Sequence, residues 1–193
     1  MQFVSYDRDR PDTITQMTKG SKMRIEGMGG HGGAMIVNGT TRTIIVPEQK
    51  IYMDLPADMG GKSAAREAAK HHGVAEKTGK TETIAGIPCQ DWHYKGTDDD
   101  GKQEEGEVCM AKGAGLMITR MAGPMMMHVF DAGGQEFNEE LNKGGGILKV
   151  TNNGKVSMLA VKAQATSLPD AMFAPPAGYS KMDGSMMNQR HKP

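Results

Sequence analysis

The chain has 193 residues with 23 basic and 23 acidic side chains, 26 glycines, 18 methionines, 4 phenylalanines and 1 tryptophan. That length suits one domain with a real core, and the balanced charge offers no footprint for a phosphate backbone, which argues against nucleic acid as a partner. No run reaches the roughly 18 to 20 apolar residues of a membrane span, and abundant glycine favours strands and tight turns over long helices.

Met1 to Tyr6 opens as a strand already under way, with no basic-then-apolar leader; this abrupt start predicts a leader removed upstream. Phe3 to Asp7 and Lys22 to Glu26 alternate as strands do. Gly27 to Met35, GMGGHGGAM, reads as a glycine-rich hairpin loop. Met35 to Asn38 and Thr43 to Val46 flank Asn38-Gly39, the strongest short hairpin signal. A turn over Pro47 to Lys50 and a strand over Ile51 to Leu55 complete an antiparallel meander.

Lys62 to Gly73 then reads as a helix, with Ser63 as N-cap, cations in the last turn and Gly73 as terminator. Its apolar face is alanine, which buries little area and places it at a rim. Strands resume at Thr81 to Ala85, Ile87 to Lys95 and Glu105 to Ala111. Gly115 to Leu141 is ambiguous, except that Gln135 to Asn142 suits a short helix. Gly146 to Thr151 and Lys155 to Ala165 form a last hairpin about Asn152-Asn153-Gly154, and Pro169 to Met172 one turn. One domain over 1–179 is expected, followed by a mobile, Met-rich tail over 180–193.

The chain has two cysteines, Cys89 and Cys109. Their midpoint is Asp99, within the turn-like GTDDDG of Gly96 to Gly101. A hairpin centred there sets Cys89 opposite Cys109, Trp92 opposite Gly106 and Gln90 opposite Val108. One face then holds Trp92, Tyr94, Val108 and Met110; the other holds the cysteines with Asp91, Glu105 and Glu107. A cross-strand disulfide is expected, with two buried thiols as the alternative. Zinc is disfavoured because it wants four ligands and no further cysteine exists. A disulfide predicts a periplasmic or secreted location.

Catalytic motifs are near misses. Gly61-Lys62-Ser63 precedes a helix, but Pro56 stands where a phosphate-binding loop needs glycine. Gly27 to Gly32 spells a dinucleotide fingerprint loosely and opens no helix. His71 and His72 are adjacent on a helix and diverge. Glu104-Glu105 and Glu139-Glu140 read as solvated charge. No nucleophile elbow or His-Glu-x-x-His motif occurs, so the expectation is a protein that is not an enzyme.

Three segments carry a resemblance: Thr78 to Tyr94, Glu107 to Gly115 and Ser167 to Met182. With Thr78, Gly79, Thr81, Glu82, Ile84, Gly86 and Cys89, then Cys109, then Phe173, Pro176, Gly178 and Tyr179, the chain resembles an uncharacterised bacterial envelope family. That family, a domain of unknown function, looks like a relative of the lipoprotein-carrier fold of LolA, LolB and RseB. The resemblance implies a mainly β fold: a curved antiparallel sheet, an open LolA-like half-barrel, with a few short helices over its concavity. The carriers hold acyl chains there. This chain departs from them in having few large aromatics and much methionine.

Methionine is unbranched and polarizable, suited to irregular cores and to pliable apolar surfaces. A Met-lined groove is therefore expected to hold an apolar small molecule, a lipid or a lipidated or apolar peptide, with Trp92, Tyr94, Val108, Met110, Met117, Met125 and Met127 lining it. No cofactor is expected on that reading. The alternative is copper held by thioether and imidazole, at Met125, Met127 and His128, at Met23, Met28, His31 and Met35, or at Met186, Met187 and His191. A third reading is a module that meets an envelope protein partner through an exposed sheet edge.

Overall fold

The computed structural model of the chain describes residues 1–6, 11–28, 32–55, 73–97, 103–113 and 134–182. The strands are β1 Gln2–Ser5, β2 Asp12–Lys19, β3 Lys22–Met28, β4 Gly33–Asn38, β5 Thr41–Val46, β6 Ile51–Leu55, β7 Gly73–Ile84, β8 Ile87–Thr97, β9 Gln103–Ala111, β10 Gly146–Asn152, β11 Lys155–Lys162 and β12 Ser180–Lys181. Among the described residues, one helix, α1 Gly134–Asn142, and two short 3-10 turns, Pro47–Gln49 and Asp170–Phe173, accompany them.

All twelve strands belong to one open, curved sheet in the order β12-β6-β5-β4-β3-β2-β1-β11-β10-β9-β8-β7. Two meanders, β2 to β6 and β7 to β11, lie side by side. β1 joins them, pairing with β2 on one side and β11 on the other. Every pairing is antiparallel except β12 on β6. The Asn38-Gly39 and Asn153-Gly154 turns form as expected; both Asn153 and Gly154 have positive φ, as a tight two-residue hairpin requires. Ala85-Gly86 makes the same kind of turn between β7 and β8.

Three expectations change. β2, DTITQMTK, falls where no strand was foreseen. β7 begins at Gly73 rather than Thr81, so Gly73 starts a strand instead of ending a helix; the rest of the expected Lys62–Gly73 helix lies outside the described residues. Ser180 and Lys181, assigned by sequence to the tail, hydrogen-bond to β6 as β12: the Ser180 amide donates to the Lys50 carbonyl at 2.9 Å. The helix expected over Gln135–Asn142 and the turn near Pro169–Met172 are present within one residue at each end.

The core is divided. The larger cluster gathers Phe3, Trp92, Tyr94, Val108, Phe137, Ile147, Leu148 and Val150 among β1, β7 to β11 and α1. Two smaller clusters lie on opposite faces of the first meander: Met23, Ile25 and Val37 on one, and Ala34, Ile36, Ile45 and Phe173 on the other.

Candidate functional site

Side chains alternate between the faces of a strand, so register decides which residues share a face. Met53 lies opposite Ile44, Ile44 opposite Met35, Met35 opposite Ile25 and Ile25 opposite Gln16. Two residues before Gln16, Ile14 lies opposite Phe3, and Phe3 lies opposite Ala160. The row continues from Met158 to Val150, Val108, Trp92 and Lys77. One face of the whole sheet therefore bears Met23, Met35, Met53, Met110 and Met158, and its far end is the Trp92 region. Sequence patterning alone does not reveal this row, because it crosses eleven strands.

At that end Phe137 of α1 meets Trp92 edge-on, ring centroids 5.2 Å apart and planes at 81°. Lys77 Nζ stands 5.0 Å from the Trp92 ring centroid and donates to Glu136 Oε1 at 2.5 Å. That hydrogen bond raises the Lys77 pKa. Tyr94 donates its hydroxyl to Asn152 Oδ1, and burial holds its pKa well above the usual phenol range. Gly106, opposite Tyr94, has no room for a side chain: a Cβ would sit 1.9 Å from the Thr151 carbonyl oxygen.

The expected lining residues Trp92, Tyr94, Val108 and Met110 do share this face, and each is buried in the larger core. Met117, Met125, Met127 and His128 lie outside the described residues, as do His31 and the side chain of Met28. Met23 and Met35 of the alternative metal set share the Met face, packed with Ile14, Ile25 and Val37. Gln16, also on this face, is 1% exposed, and neither end of its amide has a hydrogen-bond partner among the described residues.

The opposite face holds the disulfide Cys89–Cys109, Cα atoms 5.4 Å apart. The bridge forms as expected, but on a different register. Asp91, not Cys89, faces Cys109; Trp92 faces Val108; and Gln90 faces Met110. The hairpin is centred one residue later than the cysteine midpoint, so the bridge runs diagonally. Glu82 lies opposite Cys89 and Lys149 opposite Cys109, and Lys149 pairs with Glu82 across the bridge. Carboxylate oxygens of Glu82 and Asp91 lie with the Cys109 sulfur within 4.8 Å of one another. Asp91 is 3% exposed, and no donor among the described residues reaches its Oδ1. Burial raises its pKa, and the Glu82 charge raises it further against the opposing pull of Lys149. The sequence placed Asp91 beside the cysteines, and the Ala85-Gly86 turn brings Glu82 to it within one hairpin; Lys149 comes from β10, whose pairing is not readable locally.

Farther along that face the C-terminal segment runs as a strap over the first meander. Phe173 inserts against Ala34, Ile36 and Ile45. Arg24 donates to the Met172 carbonyl at 3.0 Å, Lys19 to the Leu168 carbonyl at 2.8 Å and Lys22 to Asp170 at 2.9 Å. The Phe173 and Tyr179 signature thus covers a sheet face.

An open antiparallel sheet with a diagonal disulfide and a C-terminal strap defines a β-sheet scaffold with no catalytic triad or phosphate loop among its described residues. The model of a family described as a domain of unknown function, DUF4412, matches residues 4–179, and the chain belongs to that family. No curated protein matches the chain. Among the described residues, no helix is long and apolar enough to cross a membrane.

Proposed function

We propose that this chain is a non-enzymatic protein of the cell envelope, periplasmic or secreted, that binds a lipid or a lipidated or apolar peptide against the Met-bearing face of its sheet. The observation that supports this reading is the register row that gathers Met23, Met35, Met53, Met110 and Met158 with Trp92 on one face. Met23, Met53, Met110 and Met158 are buried, so an apolar partner is taken up by repacking, which thioether side chains allow through three rotatable bonds and a polarizable sulfur. An open curved sheet with a helix on one face also suits a LolA-like carrier. The disulfide suits an oxidising compartment.

An edge-pairing role has less behind it. β7, at one end of the sheet, carries a register shift between Lys77 and Thr81 and a series of charged side chains, and both features discourage another strand from adding there.

Native mass spectrometry of protein made in an oxidising compartment tests the proposal. A co-purified mass of several hundred daltons that extracts into organic solvent is the expected result. Stoichiometric Cu(I) uptake without such a mass would overturn it in favour of thioether metal binding.

A further inference from the structure

We propose that opening the Cys89–Cys109 bridge creates a zinc site, with both thiolates and the carboxylates of Glu82 and Asp91 as its four ligands. Four observations converge on this point. The Cys109 sulfur and one carboxylate oxygen each from Glu82 and Asp91 already lie within 4.8 Å of one another. The Cys89 sulfur lies outside that set but is bonded to the Cys109 sulfur, so it joins the other three by side-chain rotation once the bond opens. Among the described residues no donor reaches the buried Asp91 Oδ1, so an acceptor lone pair is left unused there. Glu82 is only partly covered, with a side chain 39% exposed, and offers a route inward for a cation.

Zinc takes four ligands at about 2.0 to 2.3 Å in a tetrahedron, which places ligand atoms roughly 3.5 Å apart. The three grouped atoms, within 4.8 Å of one another, must draw closer and Cys89 must turn toward them. With the bridge closed neither sulfur is a thiolate, so the oxidised protein has two carboxylates and a lysine there and no zinc site. Reduction by a dithiol transfers two electrons and two protons: the S–S bond breaks, two thiols form and the donor becomes a disulfide. Zinc then displaces both thiol protons, and the proton of Asp91 where that carboxyl is neutral. Two thiolates, two carboxylates and one divalent ion sum to a charge of −2. The Lys149 ammonium beside Glu82 offsets half of that charge. The cluster is therefore a redox-gated site, separate from the Met-bearing face.

The test uses the full chain, unfolded, reduced with a phosphine and refolded with Zn2+ or Co2+. Oxidised wild type and a C89S/C109S variant serve as baselines for zinc held by histidines elsewhere. We expect reduced wild type to bind one equivalent more than either baseline, and Co2+ to give a thiolate charge-transfer band. D91N and E82Q should each weaken zinc at least tenfold, and D91C, which keeps a fourth anionic ligand, should restore it. Circular dichroism of each variant separates loss of a ligand from loss of fold. Equal uptake by reduced wild type and the baselines overturns the proposal; so does undiminished binding by folded D91N and E82Q.

Discussion

Phe137 and Trp92 are in edge-to-face contact, and through them α1 is fixed to the sheet. Both rings are essentially inaccessible to solvent. Truncating Phe137 to alanine removes a large buried ring and should cost about 3 to 5 kcal/mol. Trp92 is the single tryptophan of the chain, so tryptophan fluorescence reports the surroundings of this ring. F137A should lower the denaturation midpoint and red-shift the native emission. An unchanged emission maximum would mean that α1 does not shield Trp92.

Gly106 is required by close approach rather than by an unusual dihedral angle. An added Cβ would collide with the Thr151 carbonyl and lie 2.7 Å from the Tyr94 hydroxyl oxygen. G106A should force β9 and β10 apart and destabilise by roughly 3 kcal/mol, the upper part of the usual range for overpacking. Urea unfolding measures this. The same substitution at Gly39, where nothing lies within 4 Å of the added carbon, meets only the strain of its positive φ and should cost less.

The bridge closes a loop with a sequence separation of 20. In the chain-entropy model that constraint is worth about 3 kcal/mol. Double replacement by serine should lower stability by that order in the absence of zinc. A comparison of wild-type denaturant midpoints with and without reductant should show a matching loss. Identical midpoints would mean that the folded state is as stable without the bond.

Asp91 produces a pH dependence of definite sign. Its folded pKa is raised, chiefly by burial and then by Glu82, with Glu107 adding to the rise and Lys149 opposing it. A raised carboxyl holds its proton more tightly when folded. This group's contribution is therefore intact in acid and is lost as pH rises from the unfolded value near 4 through the folded one. Relative to wild type, D91N should gain stability across that window. Asp54 and Asp170, both held low by lysine partners, act in the opposite sense, favouring the folded state above their unfolded pKa and losing that effect on acidification. The difference between wild type and D91N at each pH cancels them. A flat difference from pH 4 to 7 would exclude an elevated Asp91.

Turn chemistry was the most legible part of the fold. Asn153-Gly154 marks a hairpin because few other pairs tolerate two successive positive φ angles; after Asn38 the loop is Gly39-Thr40, where Gly39 supplies the positive φ. The cysteine pairing was legible for a similar reason: two thiols flank an obvious turn. Its register was not, since the hairpin centre fell one residue beyond the midpoint of the pair. β2 escaped notice because Gln16 occupies a buried position where alternation calls for an apolar residue; its β-branched Thr13, Ile14, Thr15 and Thr18 were the available signal. The first half of β7 is an edge strand with an exposed Val74 and charged neighbours, so hydrophobic periodicity is absent. The Met face and the arrival of Lys149 beside the Glu82–Asp91 pair depend on pairing between distant strands, which no local window contains.

The central position of β1 bears on how the chain is made. Residues 2–5 must pair with residues 158–162 to join the two meanders. During vectorial synthesis or export the first strand emerges first, and its second neighbour arrives only after some 150 further residues, by arithmetic on that pairing. Both meanders consist of neighbouring strands that can zip locally, whereas the seam between them waits for nearly the whole chain. Until then one side of β1 is an open edge, and the nascent protein is open to strand capture there, by a chaperone or by another copy.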